Sequence, residues 1–306
     1  MKRFRNILVA VDLSSGDKLV CPELSAPNRE VVRQAVALAA ESGARLCFYT
    51  ALDVSADAQR LIAQQRGIAG SFFDQAYHVL KTLAEEAAQK NVKAEIVVGL
   101  GSSWERLIER VKEFHHDLVI AGIRDRGPLA RLLFGSTAMK LLRYCPCPVW
   151  VAKPQKDDGR TIILAAHDLT DVGQRALELA ASFATLCKGQ LLIFHAFETT
   201  PHHGLAGSDV EAAETRIRHN AAEERLRDSI SSLENCPAFE LVIRKGRPDT
   251  ELLLLVKQRD VDVVVMGMRS RTGLGAMLIG NTAERLLPEL NCSVLAIKPE
   301  GYVCPI

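Results

Sequence analysis

The chain contains the same passage twice. AGIRDRGPLARLLFGSTAMKLLRYCPCPVWVAKP, residues 121–154, returns as MGMRSRTGLGAMLIGNTAERLLPELNCSVLAIKP, residues 266–299. Gly122 stands 145 residues before Gly267. The same interval separates Gly135 from Gly280, Thr137 from Thr282, Cys147 from Cys292, Gly101 from Gly246 and Asp117 from Asp262. A register held over about 50 residues means duplicated domains. The N-terminal parts also correspond. NILVAVDLSS matches IILAAHDLTD and sets Asp12 against Asp168 at an interval of 156, which falls to 141 by Ala39-Ala40 and Ala180-Ala181. The first half therefore carries 15 extra residues after its first strand, around SGDKLVCPELSAPN. The second half regains four before its second strand, about one helical turn. The polar run QKDDGR, residues 155–160, separates the halves, so domains are expected at 1–154 and 160–306. The length of 306 residues agrees, at roughly 100–200 residues per domain.

Each half alternates strand and helix patterns. In the first, strands are expected near 6–12, 45–52, 93–99, 117–122 and 147–153, and helices near 28–42, 70–90, 102–115 and 134–144. Runs such as DLVIAG and DVVVMG are apolar at nearly every position, the mark of parallel strands covered on both faces. The expected fold is α/β: two repeated, open, doubly wound parallel sheets of five strands, Rossmann-like. Ligands of such sheets bind at the carboxyl ends of the strands, where the strand order reverses.

Bulk properties exclude several classes. Apolar residues at 48% and charged residues at 25% describe an ordinary globular protein. The net charge of +1 provides no overall field for nucleic acid or an anionic membrane. No apolar run approaches the ~18 residues of a membrane helix. The opening MKRFRNILVAVDL reads as a first strand and not a signal peptide, because Asp12 interrupts its short apolar run. The eight cysteines include no CxxC pair, and Cys145-Pro146-Cys147 is too tight for an ordinary structural zinc pair. Reduced thiols in a cytoplasmic protein are expected.

The repeated loop carries the chemistry. Gly135-Ser136-Thr137 places a residue without Cβ and two hydroxyls at a helix N-terminus. Free N–H groups and the positive end of the helix dipole suit an anion there, and the same residues also suit a plain N-cap. Arg124 and Arg126, repeated as Arg269 and Arg271, either screen phosphate or are solvated. Asp12 and Asp168 either accept hydrogen bonds from ribose hydroxyls or an adenine amine, or cap the following turn. The chain has no GxxxxGK[ST] loop, and Gly99-Leu100-Gly101 lacks the third glycine of GxGxxG. His167, His195, His202 and His203 fall near one strand edge of the second half, without an acidic or cysteine ligand at a diagnostic spacing, so no metal site is expected.

Together these residues resemble the universal stress protein family in its tandem form. The resemblance rests on the strand with Asp12 or Asp168, the strand ending in Gly122 or Gly267, the long loop to Gly135-Ser136 or Gly280-Asn281, and the closing strands CPVWVAKP and CSVLAIKP. It implies an adenine-nucleotide α-hydrolase-like fold, a stress-response role and an ATP site, with magnesium accompanying the nucleotide. ATP-binding members carry G-x2-G-x9-G-[ST]. Here Asp125 and Ser270 stand where the second glycine belongs, and Asn281 stands beside Thr282 in place of the hydroxyl residue. Asp125 adds charge as well as a Cβ, so the second half, with Asp168, Gly267, Ser270, Gly280, Asn281 and Thr282, ranks as the better nucleotide site. Asp12, Gly122, Gly135 and Ser136 form the first-half counterpart. The resemblance further implies pairing of the two halves as a pseudo-dimer within one chain, with further dimerisation of the chain left open. No catalytic base, metal-ligand set or Walker lysine stands out, so a regulatory protein and not an enzyme is expected. The alternatives are a nucleotide-independent sensor of another small ligand, a scaffold for a protein partner, or a slow ATPase.

Overall fold

The computed structural model describes residues 4–14, 19–53, 66–123, 134–154, 161–199, 207–268 and 280–305, with the side chains of 66–71, 207, 208 and 281 outside that description. The chain divides into two compact units. One holds the described residues of Arg3–Pro154 together with those of Tyr302–Ile306, and the other holds those of Gln155–Gly273 and Leu278–Gly301.

The N-terminal unit runs β1 (Asn6–Ala10), α1 (Ala26–Ser42), β2 (Arg45–Leu52), α2 (Arg66–Gln89), β3 (Ala94–Leu100), α3 (Ser103–Phe114), β4 (Leu118–Gly122), α4 (Ser136–Tyr144) and β5 (Val149–Ala152). The C-terminal unit runs β6 (Ile162–Ala166), α5 (Asp171–Cys187), β7 (Gln190–Phe197), α6 (Gly207–Ser231), β8 (Phe239–Lys245), α7 (Pro248–Arg259), β9 (Val263–Gly267), α8 (Asn281–Leu286) and β10 (Ser293–Ile297). The first sheet has the order β3-β2-β1-β4-β5 and the second β8-β7-β6-β9-β10. All the strand pairs within each unit are parallel. Both sheets are thus doubly wound, as the alternating pattern requires.

Burial explains the apolar strands. Ile7, Leu8 and Val9 of β1, Leu118, Val119 and Ile120 of β4, and Ile163, Leu164 and Ala165 of β6 are fully buried, because helices cover both faces. Expected strand 6–12 stops at Ala10. The Val11 N–H still donates to Tyr49 O at 2.8 Å, but the Asp12 carboxylate then captures Ser14 and turns the chain away. Expected helix 134–144 starts two residues later, at Ser136. In α6 the buried stripe is Ala222, Leu226 and Ile230, spaced four apart.

The repeat extends to the polar joints. The Asp117 carboxylate accepts the N–H groups of Arg5 (2.7 Å) and Asn6 (3.1 Å), and Asp262 accepts that of Ile162 (2.7 Å). Gln34 on α1 donates to Lys153 O at 3.0 Å, and its counterpart Arg175 on α5 donates to Lys298 O at 3.2 Å. Lys153 and Lys298 are buried, with Lys153 Nζ lying 4.7 Å from the centre of the Phe134 ring. No helix among the described residues is long and apolar enough to cross a membrane.

Candidate functional site

Strand order reverses between β1 and β4 in the N-terminal unit, and a cavity of about 430 Å³ opens at their carboxyl ends. Its wall brings together Asp12, Gly122, Gly135 and Ser136, four residues expected from the sequence, although 110 residues separate Asp12 from Gly122. Leu13, Leu19, Leu107 and Ile123 supply an apolar lining, and Asn28, Thr50, Asp53, Ser103 and Thr137 add polar groups. Leu19, Asn28, Thr50, Asp53, Ser103 and Leu107 lie on other segments and carry no local motif. Only the tertiary fold gathers them.

Each part of the wall has a local cause. Asp12 Oδ1 accepts the Ser14 N–H at 2.9 Å and the Ser14 hydroxyl at 2.6 Å. The turn-capping role considered for Asp12 is therefore real, and among the described residues it engages Oδ1. Asn28, in the first turn of α1, donates to Asp12 O at 2.9 Å and ties the loop to the helix. Gly135 is the N-cap of α4 in an extended conformation, φ −66° and ψ 164°, and has no side chain of its own to cap that end. The first N–H groups of a nine-residue helix thus lie beside the cavity with no acceptor from the N-cap residue's side chain. Gly122 is small for a packing reason: a Cβ there would sit 3.1 Å from both Asn28 Oδ1 and Val31 Cγ2 of α1.

In the C-terminal unit Asp168 repeats the turn, with Oδ1 accepting the Thr170 N–H at 3.2 Å and the Thr170 hydroxyl at 2.6 Å. Thr170 then caps α5 by accepting the Gly173 N–H at 3.4 Å. Gly267 ends β9, where a Cβ would lie 2.6 Å from Val172 Cγ1. Gly280 caps α8 at φ 95°, a conformation that side chains rarely adopt. Thr282 is half-buried in the first turn of α8. Ser270 and the Asn281 side chain lie outside the described residues, as do Arg124, Asp125, Arg126, Arg269, Arg271, His202 and His203.

The two repeats differ in the side chains at corresponding strand ends. Strand register pairs Ile7 with Leu46 and Ile163 with Leu191, so Thr50 corresponds to His195 and Val11 to His167. The shared hydrogen bonds Val11 N–H to Tyr49 O and His167 N–H to Phe194 O, both 2.8 Å, confirm the match. Ala121 likewise becomes Met266, and Ile123 becomes Met268. His167 and His195 are 4% and 9% exposed. His195 Nδ1 donates to His167 O at 2.8 Å, and His167 Nδ1 accepts the Leu169 N–H at 2.9 Å, so His195 carries a proton on Nδ1 and His167 carries its proton on Nε2. Burial lowers the pKa of both, with the positive charge of Arg225 acting in the same direction and Asp168 opposing it. A second cavity of about 240 Å³ lies beside His167, Thr170, Gln174, Arg225 and Ser232. No three metal-ligating side chains converge among the described residues.

These features define a class: a tandem repeat of a doubly wound, Rossmann-like domain with an open crevice at the switch point of its first copy. The chain belongs to the universal stress protein family, whose model it matches twice, over residues 3–153 and 159–298. Membership places it among the stress-response proteins. It is similar to universal stress protein E of Photorhabdus laumondii, 26% identical over 326 residues, covering 100% of this chain and 98% of that protein. Universal stress protein E of Escherichia coli K12 is also 26% identical, over 323 residues with the same coverage. Among solved structures, a functionally unknown protein from Pseudomonas aeruginosa PAO1 superposes with a TM-score of 0.69 at 23% identity, covering 97% of this chain and 93% of that one. A universal stress protein from Archaeoglobus fulgidus superposes at 0.64 with 18% identity, covering 96% and 98%. At these identities the structural likeness speaks for the fold.

Proposed function

We propose that the chain is a regulatory protein that binds an adenine nucleotide, ATP with its magnesium, in the crevice of the N-terminal unit, and that it does so without turnover. The observation that carries this reading is the cavity of about 430 Å³ bounded by Asp12, Gly122, Gly135 and Ser136. Ser14 occupies Asp12 Oδ1, which leaves Oδ2 to accept from ribose hydroxyls. The start of α4, whose N-cap Gly135 has no side chain, would receive phosphate oxygens. Magnesium would supply charge neutralisation on the polyphosphate.

The loop sequences favour the second half instead, a ranking that rests on Asp125 against Ser270 and on Asn281, whose side chains are outside the described residues. Support for the first half comes from its described wall, where Val11, Thr50 and Ala121 stand in place of the larger His167, His195 and Met266 of the second half. A second reading also has an observation behind it. The described lining holds two carboxylates, Asp12 and Asp53, and no lysine or arginine, which suits an uncharged hydroxylated ligand.

Calorimetric titration with ATP and magnesium, and in parallel with adenosine, separates the two. ATP binding at one site per chain is expected, weakened at least tenfold, about 1.4 kcal/mol, when Val11→His and Thr50→His fill the crevice. Heat from adenosine alone supports the second reading. No change in ATP affinity in the filled variant moves the site out of the N-terminal unit.

A further inference from the structure

The segment joining α4 to β5 is Cys145-Pro146-Cys147-Pro148. Cys145 is the C-cap of α4, its N–H bonded to Leu141 O at 2.9 Å, and it is completely buried. Cys147 is half-buried. The two Sγ atoms lie 3.6 Å apart, in van der Waals contact, against a disulfide length of about 2.05 Å. Neither is in a disulfide in this structure. Each proline fixes its own φ near −65°. The thiols are therefore held together by a stiff connection and do not meet by chance fluctuation. Tyr302 closes over this end of α4 by donating to Arg143 O at 3.0 Å.

The repeat provides an internal control. At the interval of 145, Cys147 keeps its counterpart Cys292, but Cys145 becomes Leu290, which is 2% exposed. A leucine thus satisfies the packing demand at this corner of the fold. The second thiol of the N-terminal unit adds nothing that burial alone requires, and its placement against Cys147 needs another reason.

We propose that Cys145 and Cys147 form a reversible disulfide under hydroperoxide oxidation, making this corner a redox-modification site. The half-buried Cys147 reacts first. Its sulfur attacks one peroxide oxygen, the O–O bond breaks, a sulfenic acid forms, and the departing hydroxide takes the thiol proton and leaves as water. The Cys145 sulfur then attacks the sulfenic sulfur. The S–S bond forms, the S–O bond breaks, and a second water carries off the Cys145 proton. Two electrons pass from the two sulfurs to one peroxide. The hydrogen bond with Cys145, followed by burial, holds the Cys147 thiol well above its ordinary pKa, so little thiolate is present near neutrality and oxidation is slow there and faster as pH rises. At the opposite end of the nine-residue α4, Ser136 lines the large cavity.

The test uses the full chain. The reduced, folded protein is treated with hydrogen peroxide, then unfolded, alkylated and digested with trypsin. The peptide from Tyr144 to Lys156, uncut at Lys153-Pro154, contains Cys145 and Cys147 as its only cysteines. The expected product is lighter by two hydrogens, has lost both alkylation sites, and regains both after reduction. Cys145→Leu, which copies Leu290, should leave Cys147 as a sulfenic or sulfinic acid with no loss of two hydrogens. Both sites remaining alkylated while the exposed Cys187 is oxidised overturns the proposal. So does a crosslink from this peptide to Cys304, or a bond that forms only after unfolding in urea.

Discussion

Gly267→Ala tests whether the glycine that closes the fourth strand of each repeat answers to helix packing. The added Cβ would stand 2.6 Å from Val172 Cγ1 and 3.2 Å from Val172 Cβ. Contact between two carbons is comfortable at about 3.5–4.0 Å, so the overlap is close to 1 Å. Val172 sits in the first turn of α5, 5% exposed, and a β-branched side chain in a helix has one strongly preferred rotamer. The clash is relieved only by moving the helix. Overpacking of this kind costs about 2–3 kcal/mol. In a domain of this size each kcal/mol shifts the melting temperature by about 2–4 °C, so a fall of about 4–12 °C is expected. Gly122→Ala is the graded control. Its Cβ would meet Asn28 Oδ1 and Val31 Cγ2 at 3.1 Å, which shifts of a few tenths of an ångström relieve, for about 1 kcal/mol. Thermal and urea unfolding of both variants should rank them in that order. Adding Val172→Ala to Gly267→Ala should recover part of the loss, a favourable coupling in a double-mutant cycle. Equal losses for the two glycines, or a coupling of zero, would refute the packing argument.

Two other outcomes follow from the same structure. Burial lowers the pKa of His167, His195 and His116 in the folded chain below the ordinary value near ~6.5, so stability is complete above that pH. As pH falls further, the unfolded chain takes up protons that the fold refuses and stability declines. Replacing His167 by Val and His195 by Thr, the first-half residues, should flatten the fall in urea midpoint between about pH 7.5 and about pH 5.5, and an unchanged slope would exclude these two residues as its source. Asp117→Ala leaves the Arg5 and Asn6 N–H groups without their carboxylate and should lower unfolding free energy by about 1–2 kcal/mol. Chemical denaturation checks this, and a loss below about 0.5 kcal/mol would mean that water replaces the carboxylate at no cost.

Periodicity and repetition are properties of the chain itself, and they carried the architecture. Apolar runs at β4 and β9, the interval of 145, and the Asp and Gly punctuation at Asp12, Gly122 and Gly135 follow from local pattern, because a strand covered on both faces must be apolar throughout. The membership of the crevice depended on distance in space. Asn28, Thr50, Asp53 and Ser103 reach one cavity only because β1 and β4 lie side by side with the strand order reversing between them. The small size of Gly122 and Gly267 was legible in the sequence, but its cause was not: the neighbours it spares are Val31 and Val172 on the covering helices. The loop motif ranked the second half above the first, while among the described residues the first half has the smaller side chains along the crevice wall. Motif residues report what a loop can touch. The volume of a crevice depends on side chains from several strands, and His167, His195 and Met266 take on that meaning only when β6, β7 and β9 are laid next to one another.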